Sequence, residues 1–131
     1  MIYEDGKQRR DFVYVGDVAR AFADALVIPG VAGEVFNIGS GVDRTVAEVA
    51  HAIAGALGRS DLEPEIVAKA RIGDIRHCFC DGTKAAEALA FRAEKDFGEG
   101  PAELAEWVAR QTAHDRIHEA RAELEAKGLV A

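Results

Sequence analysis

The sequence predicts a mixed α/β domain, an α+β lobe with three or four short strands and about four helices. Its 131 residues are about one domain's worth of chain, too short for an enzyme with separate cofactor and substrate domains. Short runs rich in β-branched and aromatic residues alternate with segments of helical periodicity. The composition is 49% hydrophobic and 30% charged, which suits a single core of ordinary size.

The charge balance narrows the classes of partner. Acidic residues outnumber basic ones 23 to 16, for a net charge of -7, which argues against a general binder of nucleic acid or of anionic membranes. No apolar stretch approaches the roughly 18 residues of a membrane span, and the N-terminus lacks a signal-peptide pattern. The expected location is the cytoplasm, and a small anionic ligand bound by local arginines remains open.

The first predicted strand is Arg10 to Val15, which Gly16-Asp17 ends. Asp17 is expected to cap the following helix, Val18 to Leu26, whose apolar residues fall on one face. Pro29-Gly30 then stops the helix.

A second strand is predicted over Glu34 to Ile38, followed by the bend Gly39-Ser40-Gly41. Thr45 and Glu48 then have the spacing of a capping box, which predicts that a helix starts there. Gly58 is a plausible left-handed residue at the end of that helix.

The third stretch begins with an extended piece, Glu63 to Ala68, and a polar loop, Lys69 to Asp74. Ile75 to Cys80 is predicted as a strand, with Asp81 as the cap of a helix from Gly82 to Leu89. This helix is expected to turn Ala85, Ala86 and Leu89 inward.

A last long helix is predicted to begin near Pro101, which is tolerated in a first turn, and to run on to about Gly128. Residues from about Ala113 onward offer little core and are expected to be exposed, frayed or packed on another subunit. We therefore divide the chain into a lobe, residues 1–112, and a charged helical extension, residues 113–131.

Neither a metal site nor a cofactor loop is predicted. Cys78 and Cys80 form a C-x-C pair without a second pair of ligands, so two reduced thiols are expected. The glycine-rich bend after Ile38 departs from a dinucleotide fingerprint because Arg44 stands where the third glycine belongs. We interpret the bend as a strand-to-helix connection.

Two polar clusters can be interpreted in two ways. Arg10 opens a strand and could direct a bidentate guanidinium at a phosphate, or it could pair with a nearby carboxylate. Arg71 and Asp74 flank Gly73 and would suit a nucleotide's diphosphate and ribose, but Gly-Asp is also common in plain turns. The residues alone favour the plain structural role for both clusters.

Five segments in order change this weighting: RDFVYVGDVARAF, GEVFNIGSG, RIGDIRH, CDGTKAAEAL and EGPAELAEWV. Together they are similar to the C-terminal, substrate-binding part of extended short-chain dehydrogenases that act on nucleoside-diphosphate sugars, the NAD-dependent epimerase/dehydratase family. The resemblance covers roughly Ile2 to Val108. It does not separate the 4-epimerases from the 4,6-dehydratases, so isomerase and lyase activity both stay open.

The resemblance implies that Arg10, Arg71 and Asp74 contact the nucleotide's phosphates and ribose. It also implies an N-terminal Rossmann domain that holds NAD and supplies the catalytic tyrosine and lysine. Neither the cofactor fingerprint nor that helical pair is found in this sequence, so no catalytic or cofactor-binding residue is assigned to it. In the family the strand that matches Val35 to Ile38 lies against the Rossmann part.

Two departures occur near the end of the match. Ala90 replaces the glycine that is usual in L-G-[FWY], and Ala93 stands where proline is common.

The sequence therefore leaves two functions open. The chain is expected to be the sugar-nucleotide-binding portion of a 4-epimerase or 4,6-dehydratase, inactive alone, with a Rossmann half or a second copy as its partner. The alternative is a non-catalytic, truncated module that self-associates or binds a nucleotide weakly.

Overall fold

The computed structural model describes residues 1–112 and 114–130, and these form five short strands and five helices. The strands are β1 (Ile2–Tyr3), β2 (Arg9–Asp11), β3 (Asp43–Thr45), β4 (Ile66–Val67) and β5 (His77–Cys78). The helices are α1 (Val15–Val27), α2 (Val46–Ala56), α3 (Thr83–Ala88), α4 (Glu99–Ala109) and α5 (Ile117–Ala126). The predicted mixed α/β class is confirmed, with slightly more elements than expected.

The strands form two small sheets. β1 and β4 pair in parallel, with Ile2 opposite Ile66. In the second sheet β2 is central, antiparallel to β3 and parallel to β5. Arg10 is thereby flanked by Arg44 on one side and Cys78 on the other, so β2 joins the middle of the chain to the segment after the Arg71 loop.

The core is small and lies between α1 and α3. Its buried members are Ala21, Ala85, Leu89 and Phe91, and half-buried apolar residues surround them: Ile28, Val31, Phe36 and Ile38. The predicted inward face of α3 is confirmed, because Ala85 and Leu89 are both almost fully buried.

One predicted strand is absent and two are shorter than predicted. The strand predicted from Ile75 to Cys80 is limited to β5, His77–Cys78. The strand predicted from Arg10 to Val15 is shorter, since β2 ends at Asp11 and Val15 already begins α1. Glu34 to Ile38 is not a strand, and no neighbouring strand among the described residues pairs with it. Its side chains still alternate, because Phe36 and Ile38 pack on the core while Val35 is exposed.

Asp17 is not the cap of α1. The helix begins at Val15, three residues earlier than predicted, and Tyr14 is its N-cap. Asp17 is buried in the first turn, where its carboxylate accepts hydrogen bonds from Arg20 at 2.8 Å and from the amides of Glu94 and Lys95 at 3.1 Å. Burial alone would raise the pKa of Asp17, but these donors outweigh burial and the pKa is lowered.

Both predicted ends of α2 are confirmed. The Thr45 hydroxyl accepts the amide of Glu48, and the Glu48 carboxylate accepts the amide of Thr45 at 2.7 Å, which completes the capping box. At the other end Gly58 has a φ of +68°. The amides of Gly58 and Arg59 reach back to carbonyls of the helix, so α2 closes with a Schellman motif.

The long C-terminal helix is wrong as predicted, because it is two helices. α4 ends at Ala109, and α5 begins at Ile117, whose amide donates to the Asp115 carboxylate at 2.9 Å. That local turn starts a new helix after the apolar pattern of α4 has run out. Ala113, where the predicted extension begins, and Ala131 lie outside the described residues.

Across residues 1–112 and 114–130, no helix has both the length and the hydropathy needed to span a membrane.

Candidate functional site

Arg10 ties the segment before β5 to strand β2. Its Nη1 donates to the carbonyl oxygens of Arg9 and Arg76, both at 2.8 Å, and its Nη2 donates to the carbonyl of Ile75 at 2.5 Å. Backbone carbonyls therefore surround this guanidinium, rather than the carboxylate that the plain alternative envisaged. The contacts fix the end of the loop that carries Arg71 and Asp74.

Arg71 and Asp74 lie side by side on that loop. The Arg71 Nε donates to the Asp74 carboxylate at 2.9 Å, and the Asp74 amide donates to the Arg71 carbonyl at 3.2 Å across a turn in which Gly73 has a φ of +90°. The guanidinium carbon of Arg71 lies 5.4 Å from the centre of the Tyr3 ring. Both side chains of the pair are more than a third exposed, so the pair contributes little stability and is free to exchange partners.

Two of the three predicted site residues lie on one stretch of chain, residues 71–76, and the third, Arg10, contacts that stretch. Arg71 and Asp74 belong to its first part, and the Arg10 guanidinium donates to the carbonyl oxygens of its last two residues, Ile75 and Arg76. Arg76 adds a further anchor, because its guanidinium donates to Glu4 at 2.6 Å and to Asp5 at 2.8 Å. This contact, helped by the Lys7 amide, lowers the pKa of Asp5 to about 2.

Asp11 is a residue whose role the sequence analysis missed. Its carboxylate accepts hydrogen bonds from the Ser40 hydroxyl at 2.5 Å, the Ser40 amide at 2.8 Å and the Gly41 amide at 3.2 Å. Cys80 lies beside it, with the sulfur 3.6 Å away. Burial would raise the pKa of Asp11, but the hydrogen bonds, led by Ser40, lower it. The sequence contains one signal for this role, namely an acidic residue in a predicted strand together with a glycine-rich bend whose amides need an acceptor.

The Gly39-Ser40-Gly41 bend does not fit a dinucleotide. A phosphate needs free backbone amides, but the amides of Ser40 and Gly41 already donate to Asp11. Gly39 is packed so tightly that a Cβ there would overlap the Cys80 sulfur and the Asp11 carboxylate. The bend is filled by protein groups, and it leads into strand β3, so it is a connection but not the predicted strand-to-helix one.

A cavity of about 680 Å³, with both polar and apolar residues in its lining, opens beside this bend. Its lining includes Asp11, Ser40, Cys80, Asp81, Thr83 and Arg92. Nearby, the Arg9 guanidinium pairs with Asp43 and lies 5.3 Å from the centre of the Phe79 ring.

The two cysteines differ in their surroundings. Cys78 is exposed, Cys80 is partly buried, and both are free thiols. Burial, with the neighbouring Asp11 carboxylate, raises the pKa of the Cys80 thiol. Over the part of the chain that the structure describes, no group of three or more His, Cys, Asp or Glu side chains is placed to hold a metal ion.

A second cavity, of about 440 Å³, is mostly apolar and lies between the β2–α1 connection and α4. Phe12, Tyr14, Ile53, Phe97, Leu104 and Trp107 contribute to its lining. The Tyr14 hydroxyl donates to Glu103 at 3.0 Å, and this contact raises the pKa of Tyr14. Trp107 is 59% exposed, so the cavity is an open groove.

The apolar stripe of α1 also faces outward. Ala21 is buried as predicted, but Phe22 is 72% exposed and Leu26 is 88% exposed. The inward stripe follows Asp17, Ala21 and Ile28 instead. Large exposed apolar side chains on one helix face are typical of contact surfaces.

Comparison with known proteins gives a consistent match. The family model described as the NAD dependent epimerase/dehydratase family matches residues 1–39. The UDP-glucose 4-epimerase of Mycolicibacterium smegmatis is 41% identical over 111 residues, which are 85% of this chain and 34% of that protein. The chain therefore spans about a third of the length of this relative.

Two solved structures agree in fold. The UDP-glucose 4-epimerase of Thermotoga maritima, solved with UDP-glucose, superposes with a TM-score of 0.75 at 36% identity over 83% of this chain and 34% of that one. MoeE5, solved with UDP-glucuronic acid and NAD, gives a TM-score of 0.73 at 38% identity over 83% of this chain and 36% of that one. Sequence and structure together place the chain in the NAD-dependent epimerase/dehydratase family, with the match extending over about a third of its relatives' length.

Proposed function

We propose that the chain is the nucleoside-diphosphate-sugar-binding lobe of a 4-epimerase or 4,6-dehydratase, with Arg10, Arg71 and Asp74 at its ligand-binding end. The observation that supports this proposal is the exposed Arg71–Asp74 pair, on a loop that Arg10 clamps to strand β2. Relatives solved with UDP-sugars make a nucleotide sugar the first ligand to test.

The chemistry of the pair suits such a ligand. Asp74 engages only the Nε edge of Arg71, so the other edge of the guanidinium can present a fork to a diphosphate. Released from Arg71, the Asp74 carboxylate can accept hydrogen bonds from ribose hydroxyls. Exchanging a weak surface pair for charge-assisted bonds to the ligand costs little.

Arg10 acts at the same end in a different way. Its nitrogens hold the carbonyls of Ile75 and Arg76, and this keeps the loop close to β2 while adding positive charge beneath the ligand. The net charge of -7 argues against nucleic acid or a membrane surface as the partner, whereas local arginines can hold a small anion. The cytoplasm remains the location expected from the sequence.

We further propose that the 131-residue polypeptide binds without turnover. The redox step of the family depends on NAD, and the glycine-rich bend of this chain does not fit a dinucleotide. The polypeptide incubated with NAD and UDP-glucose or dTDP-glucose should therefore form neither an epimer nor a 4-keto product. Detection of either product by chromatography would contradict this proposal.

The binding proposal is tested by titrating UDP-glucose and dTDP-glucose into the protein in a calorimeter. Arg71→Ala should weaken binding by about 1.5–3 kcal/mol, because a charge-assisted contact is lost. Arg59→Ala is the control, since Arg59 forms a comparable but more exposed pair with Asp61 outside the proposed site. Equal affinity of the unmodified protein and Arg71→Ala would remove Arg71 from the site.

A second candidate function, self-association, is favoured by the apolar face of α1. Phe22 and Leu26 are strongly exposed there, and the same face could instead meet an NAD-binding half of the enzyme. Light scattering should report a dimer or larger species that Leu26→Ser weakens. Val42→Ser, at another exposed apolar residue away from α1, serves as the control. A monomer at all concentrations would rule out self-association.

A further inference from the structure

The C-terminal end of the described chain returns to the Arg71 loop. Val130 forms an antiparallel bridge with Arg71, and the Ile72 amide donates to the Leu129 carbonyl at 2.9 Å. Leu129 and Val130 lie beyond the segment, Ile2 to Val108, that carries the family resemblance. We call residues 117–130, which are α5 and the short piece after it, the C-terminal strap.

A glycine turn sends the strap back to the loop. Gly128 has a φ of +65°, its amide donates to the Glu125 carbonyl, and the Leu129 amide donates to the Leu124 carbonyl, both at 3.0 Å. This pair of bonds is a Schellman motif, which ends α5 and reverses the chain. Leu129 and Val130 are thereby directed along Arg71.

The loop is held from its other side as well. The Glu4 amide, next to β1, donates to the Lys69 carbonyl at 2.8 Å. Across the loop, Glu125 of the strap accepts from Lys69 at 3.4 Å, and Arg121 reaches the Met1 sulfur at 3.6 Å. These side chains are exposed and contribute little, so the backbone contacts of Leu129 and Val130 carry the attachment.

The strap leaves the ligand-binding groups of the loop accessible. Its contacts use the backbone of Arg71 and Ile72, while the Arg71 side chain points to Asp74 and Tyr3 and is 47% exposed. A loop fixed through its backbone loses less conformational freedom when it binds. From this geometry, and resting on the proposed function, we propose that the C-terminal strap positions the Arg71–Asp74 loop for the nucleotide diphosphate.

Variants at Gly128 test the strap without touching the loop. Gly128→Val forbids the left-handed turn, whereas Gly128→Asn tolerates it. We expect Gly128→Val to speed exchange of the Ile72 amide and to weaken UDP binding, each by about tenfold, as local opening becomes easier. Gly128→Asn should restore both values. Gly58→Val is the matched control, because it breaks the same motif at the end of α2, and it should change neither.

The readouts separate positioning from general stability. A strap with a merely structural role would lower the melting temperature in Gly128→Val and leave UDP affinity unchanged, which would overturn the proposal. Tighter UDP binding in Gly128→Val would also overturn it, since the strap would then cover the loop. If the unmodified chain binds no UDP, the proposed function is wrong. If exchange of the Ile72 amide in Gly128→Val equals that of the unmodified chain, the strap does not fix the loop.

Discussion

Replacing Ala90 by glycine should stabilise the protein. Ala90 has a φ of +52°, just after α3, at the position where glycine is usual in the family that the sequence resembles. A left-handed conformation costs a non-glycine residue roughly 1–2 kcal/mol, whereas glycine adds about 0.5–1 kcal/mol of unfolded-state entropy. The free energy of unfolding of Ala90→Gly should therefore rise by about 0.5–1 kcal/mol.

Urea denaturation followed by circular dichroism measures this difference. Ala88→Gly is the control, because Ala88 is an exposed residue two positions away with helical backbone, and there glycine should lower stability by about 0.5–1 kcal/mol. The opposite signs of the two changes are the diagnostic result. A loss of stability in Ala90→Gly would refute the argument that backbone strain, and not contact loss, governs this position.

Three other substitutions have clear expected outcomes in the same denaturation assay. Asp17→Asn should cost about 1.5–3 kcal/mol at pH 7, because the charge-assisted bond to Arg20 is lost. The pKa of Asp17 is lowered in the folded state, so the stabilisation by its carboxylate is complete above about pH 4 and is lost as the pH falls through the folded-state pKa. The difference in unfolding free energy between Asp17→Asn and the unmodified protein should therefore become smaller in acid. Gly39→Ala should cost about 1–3 kcal/mol through overlap with Cys80. Thr45→Ala should cost about 1 kcal/mol by removing the cap of α2. Equal stability of any of these variants and the unmodified protein would contradict the corresponding contact.

Local signals in the sequence were sufficient where the structure depends on local contacts. Thr45 and Glu48 are three residues apart, and their capping box needs no other part of the chain. Gly58 likewise ends α2 through a motif that spans a few residues. The inward face of α3 followed from its periodicity, because the core lies directly against it.

The sequence-based predictions fail where contacts between residues far apart in the chain determine the structure. Glu34 to Ile38 has the alternation of a strand, but a strand also needs a neighbour, and none pairs with it among residues 1–112 and 114–130. Asp17 has the identity of a helix cap. Its actual role depends on the amides of Glu94 and Lys95, more than seventy residues away, which periodicity cannot reveal.

The Arg10-Asp11 pair shows how far a motif can define a site. The two residues are adjacent on β2, where successive side chains leave a strand in opposite directions, and each is committed to a different loop. Arg10 holds the carbonyls of Ile75 and Arg76, and Asp11 holds Ser40 and the neighbouring glycine. The short strand β2 thus fixes both the loop that carries Arg71 and the Gly39-Ser40-Gly41 bend. Substituting Arg10 would disturb the loop that carries Arg71 as well as any contact of Arg10 with a ligand. The exposed Arg71 side chain can be removed with little effect on the fold. Ligand binding by the Arg71→Ala variant is therefore the clearer test of whether this loop recognises a diphosphate.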